Sequence, residues 1–134
     1  GFSETEPWLP MPETFRKEIT AEAQEKDSGS ILAFYKKLIA MRKKYRIIAD
    51  GDISFFEVDS DMVMGYKRTL GDQELVVLCN MNGREQTISI DKRWKNYSML
   101  LHNYNEKNVI FGENTYSMKP YELLVLENGK GCQQ

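Results

Sequence analysis

The apolar residues of this chain change their period near residue 50, and that change limits the fold more than any other feature. Before it, Ile31, Leu32, Tyr35, Leu38, Ile39 and Tyr45 recur at spacings of three and four and draw one stripe along a helix. After it, short runs with strand character cover 53–58, 62–68, 74–81, 86–90, 97–102, 109–111 and 121–127. Between them stand Asp59-Ser60-Asp61, Leu70-Gly71-Asp72, Asn82-Gly83, residues 103–105 and residues 112–114. These are turn chemistries, in which glycine and asparagine accept positive φ and short polar side chains close the backbone. Six or seven short strands punctuated in this way form an antiparallel sandwich or barrel.

The single strong helix is expected over about 29–45. Asp27, Ser28 and Ser30 are candidate N-caps, and Arg42, Lys43, Lys44 and Arg46 crowd its C-terminal end, where cations favour the helix dipole. Those bases read as a solvated helix end rather than a nucleic-acid patch, because the net charge is −2. Ahead of it Pro7, Pro10 and Pro12 forbid regular ladders, and 18–26 has room for a short helical turn. Residues 128–134 have no apolar anchor and are expected to fray.

With 134 residues, 41% hydrophobic and 28% charged, the chain is long enough to bury one real core and is not composed like a disordered one. Its longest apolar runs, 75–79 and 123–126, are far shorter than a membrane span, so no membrane partner is expected. No charged-then-apolar leader opens the sequence. The start at Gly1, without Met, suits a piece of something longer. Cys79 lies in an apolar run and Cys132 in a polar tail, which reads as a buried thiol and a loose one in a reducing compartment, and hence a cytoplasmic protein. Asn96-Tyr97-Ser98 matches a glycosylation pattern and, with no leader, is read as chance.

Motifs for chemistry fail on inspection. Asp50-Gly51-Asp52 and Asp59-Ser60-Asp61 open like calcium loops but lack the next oxygen ligand and the sharp-turn glycine. Gly129-Lys130-Gly131 lacks the spacing of a phosphate loop. One histidine, His102, and two scattered cysteines make no zinc pattern, and His102 reads as a structural or exposed residue. No metal, cofactor or catalytic residue is therefore expected. Trp8, Trp94, Tyr97, Tyr104, Phe111, Tyr116 and Tyr121 could stack on sugar rings, although aromatics spread through a β-domain pack its core more often.

The residues also carry a resemblance. Gly1-Phe2-Ser3 with Pro7-Trp8-Leu9-Pro10, then Lys17-Glu18-Ile19 and Glu22-Ala23-Gln24, is similar to the stretch after the last barrel strand of certain bacterial α-glucosidases. These are the oligo-1,6-glucosidases, dextran glucosidases and trehalose-6-phosphate hydrolases of the α-amylase superfamily, glycoside hydrolase family 13. Ser30-Ile31-Leu32 and the run 35–43 resemble their final barrel helix, and Gly51-Asp52 the opening of their C-terminal β-domain. Residues 75–80 resemble its central strand, and Pro120-Tyr121-Glu122 with Val125-Leu126 its closing strand. Arg46 departs from the pattern, where a proline usually follows the helix, and so does the run 11–15, which replaces a longer asparagine-rich one near the substrate mouth.

The resemblance implies a mainly β chain: residues 1–46 as the loop and final helix of a (β/α)8 barrel, 47–127 as the C-terminal antiparallel β-sandwich, and 128–134 as a tail. It implies a parent that hydrolyses α-glucosidic bonds with retention, α-1,6 bonds in oligosaccharides above all, through two carboxyls on earlier barrel strands. None of the motifs that carry those carboxyls occurs in this sequence. Trp8 alone falls where the resemblance implies a rim of the substrate mouth. The implied partners are the parent's barrel and, through it, an oligosaccharide, with self-association of the chain where its helix stripe lies bare. The competing reading is a free-standing carbohydrate-binding or interaction sandwich, for which the loop and helix of 1–46 have no use.

Overall fold

A computed structural model of the chain describes residues 5–6, 8–9, 19–104, 106 and 108–129. The chain divides into two compact units, one ending at Lys44 and the other beginning at Tyr45.

The first unit is a helical pair, α1 (Ala21–Lys26) and α2 (Ile31–Lys44). Thr20 caps α1 by accepting from the Ala23 amide at 3.1 Å. Ser30 caps α2: its hydroxyl accepts from the Ala33 amide at 3.2 Å and donates to the Gln24 carbonyl at 2.6 Å. The Gln24 side chain reaches forward to accept from the Leu32 amide at 3.0 Å, so the two helices satisfy each other's free ends. No residue of α2 is buried. The helix ends one residue before the expected limit, and Tyr45 does not continue the apolar stripe. It adopts an extended conformation and is buried in the second unit, beside Ile47 and Leu75. Burial of that ring, rather than the local helix pattern, sets the boundary.

The second unit opens with the short helix α3 (Arg46–Asp50), where only a helix end was expected. Seven strands follow: β1 (Asp52–Phe56), β2 (Val63–Leu70), β3 (Gln73–Asn80), β4 (Gln86–Ser89), β5 (Ser98–His102), β6 (Thr115–Met118) and β7 (Leu123–Glu127). Five form an antiparallel sheet in the order β1-β2-β3-β7-β5, and β4 pairs with β6 in a second sheet. Alternate residues of β2, β3 and β7 (Val63, Val76, Leu78, Leu124, Leu126) meet Ile88, Tyr116 and Met118 of the smaller sheet in one core. Trp94, on a 3-10 turn at Lys92–Asn96, closes the core at one end and packs its ring 5.5 Å from that of Phe56.

The expected strand at 109–111 is not one. Ile110 is 87% exposed, while Val109 and Phe111 rest on the core without ladder partners. The ladder instead uses Thr115–Met118, whose Tyr116 and Met118 point inward and whose Thr115 and Ser117 point out. The last strand begins at Leu123 rather than 121, because the chain turns from Lys119 to Glu122 and Tyr121 takes φ 54°. Gly51, between α3 and β1, is required by close approach: a Cβ there would lie 2.5 Å from the Ile47 carbonyl oxygen. Arg68 fixes α3 against β2 by donating to the carbonyls of Ile47 at 2.9 Å and Gly51 at 2.7 Å.

Candidate interface and buried polar cluster

Carboxylates come first, since they would carry any hydrolytic chemistry. Glu122 is the one acid buried among the described residues. Its Oε1 takes hydrogen bonds from His102 Nε2 at 2.8 Å and from the Tyr116 hydroxyl, and its Oε2 takes the Lys119 amide at 2.6 Å. Both His102 and Glu122 side chains are 1% exposed. A group so enclosed and so fully bonded ties β5, β6 and the turn before β7 together and has no access to a substrate. Burial, then the bond to Glu122, raises the Tyr116 hydroxyl well above its ordinary range.

The other acids are held at the surface. Asp59 accepts from the Ser89 amide at 2.8 Å and the Ser89 hydroxyl at 2.7 Å, and these bonds hold its carboxyl below the usual range. Asp91 is held low by Arg93, whose guanidinium lies 2.6 Å from Oδ2. Asp50 pairs with Arg46 at 3.0 Å. Among the described residues no group of three metal-ligating side chains gathers. No helix among them is long and apolar enough to cross a membrane.

The aromatics named from the sequence do not converge. Trp94 and Tyr116 are core, Phe111 and Tyr97 pack against it, and Tyr121 is 65% exposed. Tyr104 donates to the Pro120 carbonyl at 2.6 Å. Trp8 is 91% exposed. Cys79 is a half-buried free thiol, raised by burial, and Cys132 lies outside the described residues.

What the second unit does present is the outer face of its large sheet. The register sets Phe55, Tyr66, Val77, Val125 and Leu101 in one row across all five strands. Toward the β5 edge of that row Leu101 is 2% exposed, Val125 7% and Val77 6%, and at the β1 edge Phe55 is 69% exposed. Ile53 and Met64 share the face at 51% and 41%, and Phe55 packs its ring 5.9 Å from Tyr66. Met62 and Met81, at 47% and 66%, extend the same strand pair, joined by a 2.8 Å backbone bond. An apolar patch on a regular edge strand marks a surface made to be covered. Sequence patterning could not find it, because an apolar residue on the outer face of a sheet looks like one on the inner face until the register is known.

Residues 1–51 match the family model described as alpha amylase, catalytic domain, and residues 63–129 match that described as the alpha-amylase SusG C-terminal domain. The oligo-1,6-glucosidase of Halalkalibacterium halodurans is 34% identical over 131 residues, an alignment that takes in 93% of this chain and 22% of that enzyme. Alpha-glucosidase MAL12 of Saccharomyces cerevisiae is 29% identical, over 91% of this chain and 21% of the relative. The crystal structure of Bacillus licheniformis trehalose-6-phosphate hydrolase superposes with a TM-score of 0.75 at 30% identity, over 90% of this chain and 22% of that one. The chain thus spans a little over a fifth of the length of these relatives.

Proposed function

The chain belongs to the α-amylase superfamily of glycoside hydrolases, and from that premise we propose that it is the non-catalytic C-terminal region of a cytoplasmic α-glucosidase. The observation that carries this reading is the order of the two family matches: a short match to a catalytic domain over residues 1–51, then a match to a C-terminal domain over 63–129. The parent is a retaining enzyme that cleaves α-1,6 bonds in oligosaccharides during carbohydrate metabolism, with one carboxyl as nucleophile and another as acid and base. Both carboxyls belong to the parent's barrel. No described acid of this chain is placed to act in either role, since Glu122 is sealed, Glu74 is tied to Tyr97, and Asp59 and Asp91 are held by Ser89 and Arg93.

The sandwich supports the barrel. Its outer sheet face, from Phe55 to Met64, is the surface offered to the parent, and α2 offers a second apolar stripe. Oligosaccharide reaches the protein through the parent's site, with Trp8 at its rim. Neither a nucleic acid nor a membrane enters this reading.

Two measurements test it. The purified chain is expected to release no p-nitrophenol from p-nitrophenyl α-glucoside; turnover abolished by substituting the chain's own acids would overturn the assignment. The reading frame upstream of Gly1 is expected to encode the rest of an eight-stranded barrel, and an unrelated domain there would favour a free-standing module.

A further inference from the structure

The two sheets part at one end of the sandwich, between β2 and β3 on one side and β4 with the 3-10 turn on the other. They leave a cavity of about 370 Å3, within the range of small-molecule sites, roughly 300–1,000 Å3. The half-buried Phe56 and Val58 line its apolar part together with Trp94, which is 8% exposed, and Glu57, Lys67, Glu74, Asp91 and Arg93 line it with charge. Apolar walls with a few placed polar groups are the composition of a binding site for a ligand that is part apolar and part polar.

The polar groups are held but not spent. Glu74 Oε1 accepts from the Tyr97 hydroxyl at 2.8 Å, which fixes the carboxylate. Its Oε2 stands 3.8 Å from Lys67 Nζ, too far for a hydrogen bond. A ligand hydroxyl between them would donate to the carboxylate and accept from the ammonium. Arg93 is locked on Asp91 through Nε and Nη2 and keeps further N–H donors for a ligand oxygen. The lining carries three carboxylates against two bases, an excess of negative charge that disfavours an anion. A pyranose ring meets each demand: C–H faces for the indole and aliphatic walls, hydroxyls for the charged groups, and no charge of its own.

We propose that this cavity binds a neutral hexose unit of a saccharide, with Trp94 as its apolar wall and Lys67 and Glu74 as a hydroxyl clamp. The choice of glucose-based probes rests on the α-glucosidase reading above, whereas the cavity chemistry does not.

The test is a titration of the 134-residue chain carrying Trp8→Phe, so that Trp94 is the one remaining indole. Isomaltotriose is expected to change its fluorescence saturably, and Lys67→Met and Glu74→Gln are each expected to weaken binding about tenfold. Lys67 is 41% exposed at its side chain, whereas Glu74 is 14% exposed and also holds Tyr97, so amide NMR spectra of each variant check that the fold is intact. Glucose 6-phosphate is expected to bind more weakly than glucose. The proposal is overturned by no saturable change with either isomaltotriose or mannotriose, by binding that neither substitution alters, or by tighter binding of the phosphate. Binding of mannotriose without isomaltotriose would support the cavity site while counting against the α-glucosidase reading.

Discussion

His102 Nε2 lies 2.8 Å from Oε1 of Glu122, and the two side chains are each 1% exposed. A carboxylate only accepts, so Nε2 carries a hydrogen toward it, and Nδ1 is buried without a hydrogen-bond partner. The Tyr116 hydroxyl and the Lys119 amide complete the carboxylate. Two strands, β5 and β6, and the turn before β7 are therefore joined at one buried group, at the end of the sheet opposite the turn between β2 and β3.

Truncating that group leaves its donors stranded in the core. Glu122→Ala is expected to lower stability by about 3–5 kcal/mol, because three donors lose their acceptor at about 1–3 kcal/mol each. Tyr116→Phe is expected to cost about 1–3 kcal/mol, because Glu122 keeps its other donors. Urea unfolding of each variant measures both, and a Glu122→Ala loss below that of Tyr116→Phe would contradict the central role of the carboxylate.

Tyr97 makes the alkaline limit of the fold predictable. Burial first, and then its bond to Glu74 at 2.8 Å, push its pKa from the ordinary 10.0 up to about 12. A folded pKa above the unfolded one means that the linked stability is whole below pH 10 and is lost as pH rises through 12. Tyr116 shifts in the same direction. Urea midpoints are expected to fall from pH 10 upward. In Tyr97→Phe the fall should be shallower, and below pH 10 that variant should lose about 1 kcal/mol with its hydrogen bond.

Gly65 lies in the middle of β2, opposite Phe56 in the register. A Cβ there would stand 2.5 Å from the Phe56 ring and 2.7 Å from Val58. Gly65→Ala is expected to destabilise by about 1–3 kcal/mol through overpacking. Adding Phe56→Leu should return part of it, a coupling that a double-mutant cycle in urea reads directly. Additive losses would show that the ring yields without cost.

The sequence carried the class of the fold and most of its strands because one face of each strand is apolar and the turns use glycine and asparagine. It misplaced what local pattern cannot hold. Val109, Ile110 and Phe111 have strand composition but no ladder partner, while Thr115–Met118 alternates over only four residues, too few to mark a strand by pattern. Tyr45 fits the helical stripe by spacing, yet its burial beside Ile47 and Leu75 takes it into the other unit. The acids of the surface turns were legible as turn residues. The bonding of His102 was not, because Glu122 is 20 residues away and nothing local marks the pair. The cavity was also invisible, since Lys67, Glu74 and Trp94 come from three separate elements.

The stripe of α2 leads to the final expectation. Ile31, Tyr35 and Ile39 recur every four residues on one face and are 71%, 59% and 53% exposed. Each such side chain left in water forgoes roughly 1.5–3 kcal/mol of burial. A second copy of the chain brings an apolar stripe that can cover this one, so the light-scattering mass is expected to rise with concentration. Leu38 is half-buried, which makes Ile39 the cleaner probe. Ile39→Glu, with Tyr35→Glu if needed, is expected to hold the chain as a monomer without loss of stability, since neither side chain is buried. Salt separates this from ionic association. Arg42 and Lys43, three and four residues beyond Ile39, continue the same face, so two copies meeting there bring like charges together, and screening should strengthen the contact. A dimer that weakens as salt rises, or one that survives Ile39→Glu, would place the contact elsewhere, and a chain that stays monomeric throughout would show that the stripe does not drive association.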